Sequence, residues 1–304
     1  MKLFVIGNGF DRGHGLATNY WDFRKYLKNI DPDFLRSFEE HYYIYPRSDE
    51  KAKREMLWNE LETNLANIDE EVIVEQAVNI DMGLESGDVG IEDTLHQYFS
   101  DEYEYINQLA VHLKRWVRTI RIRDVRPRTT FIDKDNDAVY VTFNYTAVLE
   151  TVYRVSEHRI IHIHGSLRQR DDDPVLGHGN KMRINNIQEK RHEAEQVFNE
   201  KEISICNVVE EYYKQTYKDI TKYKYKLRRL QEKDIDEIII LGHSLAGVDI
   251  PYFNTIDTFS KQNALWKVYY FSECEMQRMF DSLVDCGIDA GRIEMIHSSE
   301  FYNM

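Results

Sequence analysis

The apolar run Leu3-Phe4-Val5-Ile6 passes without a break into Gly7-Asn8-Gly9-Phe10-Asp11-Arg12-Gly13-His14-Gly15-Leu16. Four glycines in nine positions after a buried strand permit tight turns, and they let bare backbone come close to a ligand so that N–H groups can meet a phosphate. A strand, a glycine-rich turn and a following helix open many nucleotide-binding α/β folds; a purely structural turn is the plainer reading of the same residues. The ordinary dinucleotide spacing G-x-G-x-x-G is not met, because Arg12 stands at the third glycine. No strand bearing an acidic ribose ligand follows about 20 residues later, as that fingerprint requires. A variant of the doubly wound fold is therefore expected.

Six short apolar runs read as strands covered on both faces: Leu3 to Ile6, Ala138 to Phe143, Arg159 to Ile163, Glu237 to Leu241, Lys267 to Phe271 and Arg292 to Ile296. Helical patterns separate several of them, which predicts an α/β architecture with a Rossmann-like parallel sheet. Between the first two runs, Trp58, Leu61, Leu65 and Ile68 recur at helical spacing. So do Leu95, Phe99, Tyr103, Ile106, Leu109, Leu113 and Trp116-Val117. Such stripes read as core. The expected organisation is one domain over residues 1–304 with helical insertions at about 21–125 and 188–233.

Composition narrows the function. The chain of 304 residues carries 53 acidic and 39 basic side chains, a formal charge of -14, which disfavours a general grip on nucleic acid because such binding rests on Lys and Arg neutralising phosphates. The stretch Gln188 to Lys233 is locally different. Tyr212, Tyr213, Tyr217, Tyr223 and Tyr225 lie among Lys222, Lys224, Lys226, Arg228 and Arg229, a mixture that can hold a single strand but more simply describes an exposed, solvated helix. Cys206, Cys274 and Cys286 are odd in number and widely spaced, which argues against a disulfide framework and a thiolate zinc site. With no run of 18 apolar residues and no secretory signal core, a cytoplasmic protein with no membrane segment is expected.

Reactive residue types gather where the predicted strands end, which is where ligands bind in open α/β sheets. The second strand ends in Thr142-Phe143-Asn144-Tyr145-Thr146, the third in His162-Ile163-His164-Gly165-Ser166 and the fourth in Gly242-His243-Ser244-Leu245-Ala246-Gly247-Val248-Asp249. Asn144 alone could merely cap a helix beginning near Thr146. His162 and His164, two apart on a strand, should point to the same face, and His164 is the better candidate because Gly165 leaves room beside it. Asp171-Asp172-Asp173 reads as a surface turn.

Together these elements resemble a known family. Gly7-x-Gly9-x-Asp11-x-x-His14-Gly15-Leu16-Ala17-Thr18 is similar to the sirtuin-type turn Gly-Ala-Gly-x-Ser-x-x-Ser-Gly-Ile/Leu-Pro. Thr142-Phe143-Asn144-Tyr145, His162-Ile163-His164-Gly165 and Gly242-His243-Ser244-Leu245 are similar to the Thr-x-Asn, His-Leu-His-Gly and Gly-x-Ser-Leu elements. More specifically, Ile6 to Asp11 with His14-Gly15-Leu16, then Phe143 to Thr146, Ile163 to Gly165 and Leu241 to Ser244, resemble the bacteriophage abortive infection AbiH family. That resemblance implies a sirtuin-like, DHS-like NAD-binding domain in anti-phage defence, with NAD as a substrate hydrolysed to nicotinamide and ADP-ribose. It implies Asn144 and His164 as the catalytic pair. It assigns Gly7, Asn8, Gly9, Phe10, Asp11, His14, Gly15, Thr142, Gly165, Gly242, Ser244 and Asp249 to the nucleotide. Independently of the resemblance, His178 and Arg168 read as candidates for contacts to phosphate or ribose. Asp11 stands where the sirtuin pattern has Ser, and Thr146 where it has Asp. The four-cysteine zinc module of sirtuin deacetylases is missing, which makes protein deacylation improbable.

The chemistry asks little of such a pocket. Nicotinamide leaves as a neutral group, so an amide that orients a ribose hydroxyl or a water and an imidazole titrating near 6.5 suffice, with no metal. Three rival readings stand beside it. The pocket could bind NAD or a related nucleotide and only sense it, with the inserted helices serving a homo-oligomer or a regulatory protein partner. Ile240-Leu241-Gly242-His243-Ser244-Leu245-Ala246 approaches the nucleophile elbow of an esterase, with Ser244, Asp281 or Asp285, and His297 as a triad. His162, His164, His178 and His243 could be imagined on a metal, although their spacing matches no recognised site.

Overall fold

The computed structural model describes residues 1–68, 70, 107–134, 137–168 and 171–302. They form two compact units, one of residues 1–22, 113–175 and 219–304, the other of residues 23–112 and 176–218. The part of the second helical stripe that carries Leu95, Phe99, Tyr103 and Ile106 lies outside the described residues. Among those residues, no helix is long and apolar enough to cross a membrane.

The first unit is built on one six-stranded sheet, all of it parallel: β1 (Lys2–Ile6), β2 (Val139–Thr142), β3 (Ile160–His162), β4 (Glu237–Leu241), β5 (Leu265–Tyr270) and β6 (Ile293–His297). Their spatial order is β3-β2-β1-β4-β5-β6. Every strand foreseen from its apolar run is present, and the doubly wound order accounts for those runs, since each inner strand is covered on both faces.

Alternation divides the side chains between two cores. Leu3, Val5, Val141, Ile161, Ile238 and Ile240 face one core with Tyr252, Phe253 and Ile256 of the helix Ile250–Phe259 and with Leu227 and Leu230. Phe4, Ile6, Tyr140, Ile160, Ile239 and Leu241 face the other, with Phe10 of the helix Asn8–Gly13, Val148 and Leu149 of the helix Val148–Thr151, and Phe301.

The basic, aromatic stretch after residue 220 covers the exposed edge of this sheet. Lys226 Nζ donates to the carbonyls of His162 (3.2 Å) and Ile163 (2.9 Å), and the Arg229 guanidinium donates to His158 O at 2.5 Å. These cations satisfy carbonyls at and beside edge strand β3, a common way of blunting a sheet edge.

The second unit is helical. Asp31, Asn180 and Asn199 cap the helices Pro32–Glu40, Lys181–Gln196 and Glu200–Thr216 by accepting from Phe34 N, Met182 N and Glu202 N. Trp58, Leu61, Leu65 and Ile68 are buried, as their spacing predicts, and so is Leu109; Leu113, Trp116 and Val117, on the same helix over 107–119 but in the first unit, are buried as well. A buried ion pair holds the unit together: Arg24 donates to both Glu39 oxygens, at 2.6 and 3.0 Å, while Trp58 Nε1 donates to Glu39 Oε1 at 2.7 Å.

Candidate functional site

The register sets Ile6 opposite both Thr142 and Leu241, and Thr142 opposite His162, so four strands end in one row. Sequence order reverses between β1 and β4, and this switch point is where a doubly wound sheet opens a crevice beyond its carboxyl ends. Gly7 and Gly242 are the first residues past the two strands.

Glycine is required here by close packing. A methyl group on Gly9 would lie 2.7 Å from Gly242 Cα, and one on Gly7 2.5 Å from His243 Cα. Gly242 itself has φ +63°, and a methyl group there would sit 2.1 Å from Phe10 N. The N–H groups are engaged accordingly, Gly7 with Leu241 O at 2.9 Å and Gly9 with Gly242 O at 2.7 Å. The turn thus spends on β4 the donors that the sequence suggested for a phosphate. Gly15, by contrast, has φ +79° with open space beside it.

Asp11, one turn into the helix, is 1% exposed. Its Oδ1 accepts from Asn144 Nδ2 at 2.9 Å and its Oδ2 from Thr146 Oγ1 at 2.6 Å. Burial pushes the Asp11 carboxyl up to about 6, against the pull of the Thr146 and Asn144 hydrogen bonds and of His162. Asn144 Nδ2 also donates to Gly7 O at 3.1 Å, which ties the end of β2 to the opening turn. Both amide protons are used, whereas Asn144 Oδ1 has no hydrogen-bond partner among the described residues.

His162 continues the network. Its Nδ1 faces Asn144 O at 3.1 Å and its Nε2 faces Glu150 Oε1 at 2.9 Å. Both groups facing the ring, a carbonyl at one nitrogen and a carboxylate at the other, are acceptors. Glu150 also meets Arg168 Nη1 at 3.1 Å, and Arg168 pairs with Asp171 at 2.7 Å.

His164 belongs to a different group. β3 ends at His162, so the alternation that would keep the two imidazoles on one face no longer applies. The His164 ring packs against Phe143 and Tyr252, members of the core that holds Leu3 and Val5, with its Nε2 3.2 Å from Tyr252 Oη and 3.5 Å from Asp249 Oδ1. Asp249 Oδ2 in turn lies 3.6 Å from His243 Nε2. His243 Nδ1 accepts the N–H of Leu245 at 3.0 Å, which leaves the proton on Nε2, directed toward that carboxylate. Asn144 and His164 thus reach the β1–β4 junction by separate routes, one through Gly7 O, the other through Asp249 and His243. The space beside Gly165 is filled, because a methyl group there would meet the carbonyls of Asp172 and Asp173 at 2.4 Å. Asp171, Asp172 and Asp173 each pair with a cation: Arg168, Lys226 and Lys114.

The remaining candidates fall as follows. His14 donates from Nδ1 to Phe10 O (2.8 Å), so its Nε2 accepts from Tyr153 Oη (2.6 Å), and burial lowers its basicity. Tyr153→Phe is expected to cost about 1–2 kcal/mol by stranding that nitrogen, read from the urea midpoint. Asn8 Oδ1 accepts from Thr18 Oγ1 at 2.6 Å, and Thr142 Oγ1 accepts from Asn144 N at 3.1 Å. His178 lies in the other unit, fully buried against Tyr213 and Tyr217, with burial pushing it down to about 4. Ser244 is exposed, but Asp281 bonds Gln277 and His297 bonds Ser299 and Phe271 O, so no esterase relay forms. Among the described residues no group of three or more His, Cys, Asp or Glu is placed to hold a metal ion.

Sequence reasoning passed over Glu150 and Tyr252, and did not pair Asp11 with Thr146. A signal for that pair existed: they are the two positions that depart from the sirtuin pattern, and they are bonded to each other.

With this geometry in place, the family model described as bacteriophage abortive infection AbiH matches residues 3–270. The chain belongs to the AbiH family. The matched span runs from β1 through β5 and includes Asp11, Asn144, Thr146, His162, His164 and Asp249 of this AbiH chain; residues 1–2 and 271–304, with the helix Glu273–Asp285 and β6, lie outside it. No curated protein matches the AbiH chain.

Proposed function

We propose that this AbiH chain acts in abortive infection, in the cytoplasm, by binding NAD beyond the carboxyl ends of β1, β2 and β4 and hydrolysing it to nicotinamide and ADP-ribose. The observation that carries the reading is Asn144. At the switch point of the sheet, its amide nitrogen is fixed by Gly7 O and Asp11, and its oxygen is left to accept from a ribose hydroxyl or a water. The C1′–N bond breaks with its electron pair leaving on nicotinamide, water oxygen bonds to C1′, and the proton released passes to His164. Asp249 Oδ1 lies 3.5 Å from that imidazole.

Nicotinamide released from NAD by the purified chain, and by phage-challenged cells expressing it, tests the reading. Wild type is expected to release one nicotinamide per NAD lost, and Asn144→Ala to fall about a hundredfold. Equal turnover in the two proteins would remove Asn144 from the mechanism. Saturable NAD binding without release, in the presence of a phage lysate, would make the chain a sensor.

A further inference from the structure

Resting on the reading of the site above, we infer that Asp11 is a positioning residue that sets the orientation of the Asn144 amide, and that the ligand group meeting Asn144 is a hydrogen-bond donor. A side-chain amide has two nearly isosteric ends, and only its surroundings decide which end faces outward. Here Gly7 O and Asp11 Oδ1 are both acceptors, and they take the two Nδ2 protons at 3.1 and 2.9 Å. Turning the amide over would set Oδ1 against a carbonyl and a carboxyl oxygen, with three acceptors and no proton between them. The carboxyl is held in its turn by Thr146 Oγ1 at 2.6 Å. Asp11 is 1% exposed with both oxygens occupied, so it acts through Asn144 and not on a ligand directly. The outward oxygen accepts, which fits a hydroxyl or a water and repels a phosphate oxygen.

The test uses the full chain with Asp11→Asn, Asp11→Ala and Thr146→Val. Asp11→Asn keeps the shape; Thr146→Val removes one restraint and touches neither Asp11 nor Asn144 covalently. In wild type the two protons of the Asn144 side-chain amide, followed by ¹H–¹⁵N spectroscopy and assigned by their loss in Asn144→Ala, should exchange slowly with solvent. In Asp11→Ala at least one should exchange about tenfold or more faster. With NAD, the positioning role predicts kcat for nicotinamide release falling about tenfold in Thr146→Val, with KM and the NAD Kd within about twofold of wild type, and a smaller kcat loss in Asp11→Asn than in Asp11→Ala. A Kd raised tenfold at unchanged kcat would make Asp11 a ligand and overturn the inference. Should wild type neither bind nor cleave NAD, the functional reading fails while the exchange measurement still decides the positioning role: slow exchange unchanged in Asp11→Ala refutes it.

Discussion

Gly242→Ala is expected to cost about 2–5 kcal/mol and to leave little folded protein, the largest stability effect of any single methyl group at this junction. Two costs add. The residue sits at φ +63°, where a side chain costs about 1–2 kcal/mol. Its new methyl would also collide with backbone, with Phe10 N at 2.1 Å and Gly9 C at 2.5 Å, and overpacking against rigid backbone costs about 1–3 kcal/mol. Neither neighbour can swing aside, because Gly9 N–H is bonded to Gly242 O at 2.7 Å and Phe10 is buried in the core. Gly287→Ala provides the control: φ is +89° there, but the nearest atom is the end of the Asn254 side chain at 3.9 Å, so only the conformational cost applies. Urea unfolding of both variants separates the two contributions. A Gly242→Ala midpoint no lower than that of Gly287→Ala would show that the β1 and β4 turns are not pressed together as described.

What the sequence discloses and what it hides divide along the range of the interactions. β4 is legible to the residue, Glu237 to Leu241, because a central parallel strand buried on both faces is one unbroken apolar run. β2 and β3 are legible in place but stop short, at Thr142 and His162, and that shortening changes the chemistry. A period-two rule keeps His162 and His164 together only while the strand lasts. Once it ends, His162 turns to Glu150 and His164 to Tyr252. The glycines are visible as a turn, yet their purpose is not, because the atoms they admit belong to Gly242 and His243, more than two hundred residues away. Likewise Lys226 reads as a solvated charge until β3 is placed beside it, and the three aspartates read as a surface turn until their cations are located. Local patterning reports burial. Which polar groups share a hydrogen bond is set by the topology.

Raising pH from 4 to 7.5 is expected to erode the stability of wild type relative to Asp11→Asn by about 2 kcal/mol. Burial lifts the Asp11 carboxyl from its ordinary 3.8 to about 6, so the folded chain holds this proton more tightly than the unfolded chain does. Folding is therefore favoured by the protonated acid. The contribution is fully present only well below pH 3.8 and is lost as pH rises through about 6; at 1.36 kcal/mol per tenfold of affinity it totals about 3 kcal/mol over that whole span, of which about 2 kcal/mol falls between pH 4 and 7.5. His162, Glu150 and Tyr302 also interact electrostatically with Asp11, and all three are kept in the variant, so their direct titration largely cancels in the difference. Asp11→Asn can still accept from Asn144 and can donate to Thr146, which keeps the shape while removing the charge. The two proteins should have equal urea midpoints near pH 4, and the variant should be the more stable at pH 7.5. A variant less stable than wild type at pH 7.5 would mean that the hydrogen bonds outweigh desolvation and that the carboxylate supports the fold. The expected sign says the opposite: above pH 6 the chain keeps an ionised carboxyl where a neutral amide would fold better. Such a cost is found where a group is retained for its site and not for the fold, and here that site is the amide of Asn144.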